Sequence, residues 1–220
     1  MHEDRLPADF LGATVRLLDA PVGDHEAALQ PGEAAAVARA VPRRRHQFAT
    51  GRLLAHRLLD ELGAGGAPLL PGPDRAPLWP PGVTGSISHT EAHVLVAVAA
   101  LADVASVGID IEERTALADD LHDMVLTPTE LAWLRTQPAD ERGLLAKLCF
   151  SAKEAVYKTQ ATLSRTLLEF HEVELQLDRD ASRFVARLPQ HVVPAVGRSE
   201  LAGRWWEAGA TLVTGLVIEA

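Results

Sequence analysis

The chain has 220 residues, 47% of them apolar, which is enough to build a core in one domain or two small ones and rules out a disordered chain. With 21 Lys+Arg against 30 Asp+Glu the formal charge is −9, so non-specific coating of nucleic acid is excluded, and any anionic ligand must be met by a local cluster of cations. The single cysteine, Cys149, cannot form an internal disulfide and sits in an apolar helical pattern, so a buried thiol and a reducing, cytoplasmic setting are expected.

Met1-His2-Glu3-Asp4-Arg5 lacks the basic-then-apolar layout of a secretory signal, so export is not expected. From Val41 to Gly63 the spacing predicts a helix, with Pro42 in the first turn, Phe48, Ala55, Leu59 and Leu62 on one face, and Gly63 as the stop. Residues 64–82 hold nine glycines and prolines before Gly82 and read as an ordered loop. Three strands follow, over Gly85–His89, His93–Leu101 and Ser106–Glu112. The longest apolar run, Val94 to Ala102, is nine residues, about half of the ~20 that a membrane-spanning helix needs, so no membrane partner is expected.

Thr127-Pro128-Thr129-Glu130 is a capping-box start for a short helix to about Arg135. A longer helix is predicted from Asp140 to about Thr159, with Leu144, Leu145, Leu148, Ala152, Ala155 and Val156 on its apolar side. Strands over His171–Leu177, Arg183–Leu188, Arg204–Glu207 and Thr211–Ile218 complete an antiparallel sheet. Each half runs a long helix and then strands, which suggests two similar α+β lobes, 1–107 and 108–220, although no residue-level repeat supports a duplication.

Strand alternation in Val107-Gly108-Ile109-Asp110-Ile111-Glu112 sends both isoleucines to one side and both carboxylates to the other. Either this is a solvated strand face, or a hard divalent cation relieves the repulsion between the two anions. Lys147, Ser151, Glu154 and Lys158 make one polar stripe on the long second helix. That stripe is either a solvent face with Glu154 and Lys158 paired, or a site for magnesium plus a polyphosphate. On the first helix Arg44 and Arg52 flank Phe48, either snorkelling at the core's edge or lining a phosphate pocket. Gly85-Ser86-Ile87-Ser88-His89 lacks the final glycine of a serine-hydrolase elbow, and His89 and His93 lack helical zinc spacing.

Gly85-Ser86-Ile87-Ser88-His89, then Val107 to Glu112, then Phe150-Ser151-Ala152-Lys153-Glu154-Ala155-Val156-Tyr157-Lys158, in this order and with these gaps, resembles the 4′-phosphopantetheinyl transferases. The likeness is to their large, pseudo-dimeric monomers, the enterobactin-synthetase component D branch, and runs from about Arg43 to Lys158. It implies an α+β fold of two pseudo-twofold-related lobes, with coenzyme A bound by the basic helix and Ser-His segment of 1–107, metal and catalytic residues in 108–220, and the site in the cleft. The implied reaction moves the phosphopantetheine arm of coenzyme A to a serine of an apo acyl, peptidyl or aryl carrier protein and releases 3′,5′-ADP.

By the same resemblance Asp110, Glu112 and Glu154 are Mg²⁺ ligands (Mn²⁺ as an alternative), and Glu154 is the general base. Lys158 is catalytic and contacts the diphosphate, and Lys153, the family lysine beside the metal glutamate, is a substrate-binding residue. Arg44, Arg52, Arg75, Ser88 and His89 bind the donor, His89 near its 3′-phosphate. Gln47 stands where glutamate is common and His56 where arginine is common. A cytoplasmic monomer without nucleic-acid or membrane partners is expected. The rivals are another Mg²⁺-dependent phosphoryl-transfer enzyme, weakened by the absence of a P-loop, and a non-catalytic carrier-protein binder, weakened by the intact Asp110, Glu112, Glu154 and Lys158.

Overall fold

The computed structural model describes residues 6–220, so the N-terminal stretch on which the export expectation rests lies outside the described residues. In chain order the elements are β1 (Arg16–Pro21), α1 (Pro31–Val37), α2 (Pro42–Glu61), β2 (Val83–His89), β3 (His93–Ala100), β4 (Val104–Glu113), α3 (His122–Val125), α4 (Pro128–Arg135), α5 (Arg142–Ser164), β5 (Glu174–Asp178), β6 (Arg183–Arg187), α6 (Val193–Val196), β7 (Glu200–Ala208) and β8 (Thr211–Glu219). The strands form two sheets, ordered β1-β3-β2 and β4-β8-β7-β6-β5. Pairing is antiparallel for β1 with β3, β2 with β3, and along β5-β6-β7-β8. The fold is α+β, as the sequence predicts. Two compact units are formed by Ala8–Val107 with Glu219–Ala220, and by Gly108–Ile218.

In the first unit α2 begins on Pro42, whose fixed φ and missing N–H suit a first turn. Leu54, Ala55, Leu58 and Leu59 bury one face of it against Val94, Val96 and Val98 of β3 and against Leu69. Burying each such leucine contributes about 1.5–3 kcal/mol, so this seam holds helix to sheet. The β2–β3 hairpin closes through Thr90, whose Oγ1 accepts from Ala92 N at 3.1 Å and His93 N at 3.0 Å. The 64–82 loop is ordered, as predicted. Pro71 and Pro77 form an isolated bridge, and a tight turn between them is closed by Gly72 N donating to Ala76 O at 2.7 Å.

The sequence reading omits β1 and α1. The β1 strand pairs from Arg16↔Val98 to Pro21↔His93 on a sheet edge, where only part of each side chain is covered and period-2 alternation is weak. The α1 helix has seven residues, too short for a helical stripe.

In the second unit Thr127 caps α4 with the predicted capping box. The α5 helix runs five residues past the predicted end: Gln160 is buried, donates to Thr166 O at 2.9 Å and accepts from Ser164 Oγ at 2.6 Å, and Arg165 ends the helix in the left-handed region at φ 55°. The strand expected from His171 starts only at Glu174, because Phe170–Glu172 forms a 3-10 turn. Cys149 is buried as expected, and burial with Glu130 nearby pushes its thiol up to about 12.

Candidate active site

Within Gly108–Ile218 the site is built where α5 lies on β4. A Cβ at Gly108 would stand 2.1 Å from Ala155 O and 2.1 Å from Thr159 Oγ1, so only glycine permits this approach. Alternation on β4 then works as the sequence predicts, with Ile109 and Ile111 in the core and Asp110 and Glu112 on the other face.

The polar stripe of α5 meets these carboxylates. Asp110, only 4% exposed, accepts from Ser151 Oγ at 2.8 Å and from Lys158 Nζ at 2.7 Å. Lys158 also donates to Ile109 O at 3.1 Å. Glu112 accepts from Lys147 Nζ at 3.1 Å. Thr214 of β8 donates to Ser151 O at 2.9 Å, fixing the serine from the third side. Glu154 is half-buried; burial pushes its carboxyl upward, Lys158 opposes that, and Asp110 and Glu112 add to it. Burial likewise raises Glu112, with Asp110 reinforcing and Lys147 opposing. Three carboxylates therefore share one electrostatic neighbourhood, and the solvent-face reading of the stripe is set aside.

Hard oxygen donors in a half-buried, mutually repelling set suit a divalent cation. They are not drawn into a ready cage, however. Among the described residues the one trio of ligand atoms within 4.8 Å of one another is Asp24, Glu26 and His46, and there Arg45 Nε already donates to both Glu26 oxygens at 3.0 Å. Around Asp110 and Glu112 the two lysines supply the positive charge.

Beside Glu154 a pocket of about 130 Å³ is lined by Tyr157, Leu168, Phe170 and Val173 as well as Lys153. Tyr157, Leu168 and Phe170 carry no charge pattern that the sequence could flag. Lys153, expected at the substrate, is 2% exposed and anchored internally: its ammonium donates to Glu130 Oε2 at 2.7 Å, Val125 O at 2.9 Å and Phe170 O at 2.9 Å. All three of its protons are so placed.

Within Ala8–Val107 the candidate donor residues cluster in part. Arg44 Nη1 donates to His89 Nε2, joining the basic helix to the end of β2. Ser88 is buried on the same strand. Arg52 is 5% exposed rather than snorkelling; its guanidinium stacks on Phe48 at 4.1 Å and its Nε donates to Leu69 O at 2.7 Å. Burial lowers it to about 10, with Glu33 opposing and Arg44 reinforcing. Arg75 stands exposed on the 72–76 turn at φ 67°. Gln47 donates to Thr90 O at 3.0 Å, which a glutamate in its place could not do when ionised. His56 pairs with the fully buried Glu33 at 2.7 Å.

A family model described as the 4′-phosphopantetheinyl transferase N-terminal domain matches residues 32–99, and one described as the 4′-phosphopantetheinyl transferase superfamily matches residues 106–206. The chain is 43% identical over 205 residues to the 4′-phosphopantetheinyl transferase Svp of Streptomyces mobaraensis, covering 92% of this chain and 83% of that protein. It is 33% identical over 195 residues to the 4′-phosphopantetheinyl transferase PptT of Mycobacterium tuberculosis, with 86% and 85% covered. To the enterobactin synthase component D of Salmonella typhi it is 28% identical over 178 residues, with 78% and 71% covered.

Proposed function

The chain belongs to the 4′-phosphopantetheinyl transferase superfamily, whose members transfer the phosphopantetheine arm of coenzyme A to carrier proteins, and we propose that it does so from the charge network that α5 and β4 build around Asp110. In this reading Asp110, Glu112 and Glu154 hold Mg²⁺, with Mn²⁺ as an alternative. When bound, the ion neutralises charge that develops on the diphosphate as its bond breaks.

Lys158 is the more exposed of the two lysines at these carboxylates. Its side chain is 25% exposed while Asp110 is nearly enclosed, so it can hold a diphosphate oxygen on its open side without leaving the carboxylate. In this reading Glu154, half-buried in the field of Asp110 and Glu112, takes the proton from the carrier's serine. The serine oxygen then attacks the phosphorus that bears the pantetheine arm, the P–O–P bond breaks, and 3′,5′-ADP leaves with the electron pair. The largely apolar pocket beside Glu154 suits the uncharged arm. Arg44 and His89, with Arg52, Arg75 and Ser88, hold the donor's remote phosphate end. Contacts of that kind bind ground and transition states nearly alike and so act on KM.

The acceptors are acyl, peptidyl or aryl carrier proteins, and the enzyme acts as a cytoplasmic monomer. No helix among the described residues is long and apolar enough to cross a membrane. The observation that carries the reading is the convergence of Ser151 and Lys158 on Asp110, with Glu154 in the same field. The test is intact-mass spectrometry after incubating the protein with coenzyme A, Mg²⁺ and a panel of apo carrier proteins. A carrier should gain the arm in the presence of Mg²⁺ and not in chelator; full transfer in chelator, or none to any carrier, overturns the proposal.

A further inference from the structure

Two buried glutamates, one in each compact unit, share the same local wiring. In Gly108–Ile218, Glu130 accepts from Thr127 N at 2.7 Å, from Lys153 Nζ at 2.7 Å and from Leu175 N at 2.7 Å. In Ala8–Val107, Glu33 accepts from Gln30 N at 3.0 Å, from His56 Nε2 at 2.7 Å and from Leu69 N at 2.7 Å. Both close a capping box behind a first-turn proline, and both reach a basic residue 23 positions later on the long helix. Neither is more than 3% exposed.

In the first unit the wiring continues. Leu69 gives its N–H to Glu33 and its carbonyl to Arg52 Nε at 2.7 Å, so one loop residue is gripped from both sides by buried charge. The next residue, Leu70, accepts from Leu78 N at 2.8 Å, at the root of the turn that carries Arg75. Slack at Leu69 would therefore reach Arg52 and Arg75 together.

We infer that Glu33 is a positioning residue for donor binding: through His56 and Leu69 it fixes the buried Arg52 and the root of the Arg75 turn. This rests on the reading that these arginines meet the donor's phosphate end. A glutamine at 33 keeps the shape but offers one acceptor oxygen where three donors converge, so at least one N–H of the trio loses its partner.

The experiment compares wild type with Glu33→Gln, Glu33→Asp and His56→Arg, using coenzyme A and dephospho-coenzyme A as donors and calorimetry of 3′,5′-ADP binding without carrier. Glu33→Gln should raise KM for coenzyme A about tenfold, leave kcat within about twofold and KM for dephospho-coenzyme A nearly unchanged, and weaken 3′,5′-ADP to match. His56→Arg keeps an N–H donor on Glu33 and should stay within about twofold of wild type on every parameter. A Glu33→Gln protein with lowered Tm but an unaltered preference between the two donors overturns the inference, because Glu33 would then only hold α1. Should that variant fail to fold, Glu33→Asp, which keeps the charge but is too short to span all three donors, applies the same test with the same two outcomes. Failure of the underlying reading looks different: wild type itself would treat both donors alike, and this role for Glu33 would fall with it.

Discussion

Asp110 is already neutralised by Lys158 at 2.7 Å, whereas Glu112 and Glu154 sit in partial burial that makes their negative charge costly. A carboxyl raised in the folded state holds its proton to higher pH than in the unfolded chain. Its contribution to stability is therefore full below the ordinary value of 4.5 and is lost as pH rises through the raised value. In chelator at neutral pH, Glu154→Gln should consequently melt higher than wild type by a few degrees, with the gap closing as pH falls toward the ordinary glutamate range, while transfer is lost. Melting curves at several pH values beside a turnover assay check this; a variant that melts lower at neutral pH, or turns over normally, refutes the crowded-carboxylate picture. Asp110→Ala should lose transfer too, and it also removes one acceptor each from Ser151 and Lys158, so no gain in Tm is expected there. The α5 stripe was legible because helical spacing gives relative angles. Which neighbour it faces came only from the resemblance, which joins Glu154 to Asp110 and Glu112, because the direction of a stripe depends on the fold. Lys153 and Lys158 are five positions apart, about 140° around a helix, so only one of them can face β4.

The approach of α5 to β4 depends on Gly108, and that of α2 to its sheet passes over Gly51, yet the two glycines differ in how little room they leave. A methyl at Gly108 would meet backbone carbonyl and hydroxyl at 2.1 Å, atoms that cannot yield without lifting the helix. At Gly51 it would meet Ile87 Cγ2 at 3.3 Å and Val94 Cγ1 at 3.6 Å, side chains that can adjust. Gly108→Ala should cost about 3 kcal/mol or prevent folding, and where it folds it should lose transfer by displacing Ser151 and Lys158 from Asp110. Gly51→Ala should fall within about 1 kcal/mol of wild type, since better helix propensity offsets the tighter contact. Denaturant melts of both variants decide it, equal effects counting against this account. The long helices and the β2-to-β4 strands were legible from periodicity and turn residues. What escaped was short or held by tertiary contacts: β1 on its edge, seven-residue α1 with buried Glu33, and the last turn of α5 around Gln160.

At the scale of the whole molecule, the α+β class and the likeness of the two halves were legible in the order of elements, but no residue-level repeat was. The likeness shows in few positions, Pro31 with Pro128 and Glu33 with Glu130, and the basic partner is His56 in one half and Lys153 in the other, so residue identity conceals what the hydrogen bonds reveal. Charge is the property that only the whole molecule has. The chain carries −9, and an acidic carrier protein carries the same sign, so the two repel at a distance, whereas the residues proposed to contact coenzyme A, Arg44, Arg52 and Lys158, are cations. Screening acts oppositely on the two encounters, because the Debye length shrinks to about 10 Å at 0.1 M salt. Raising ionic strength from about 20 to about 150 mM should lower KM for an acidic apo carrier, through faster association, and raise KM for coenzyme A, with kcat little changed. Initial-rate measurements varying each substrate across that range give both slopes. A carrier KM that climbs with salt would mean that a local basic surface, rather than the net charge, governs the encounter, since only attraction between opposite charges is weakened by screening.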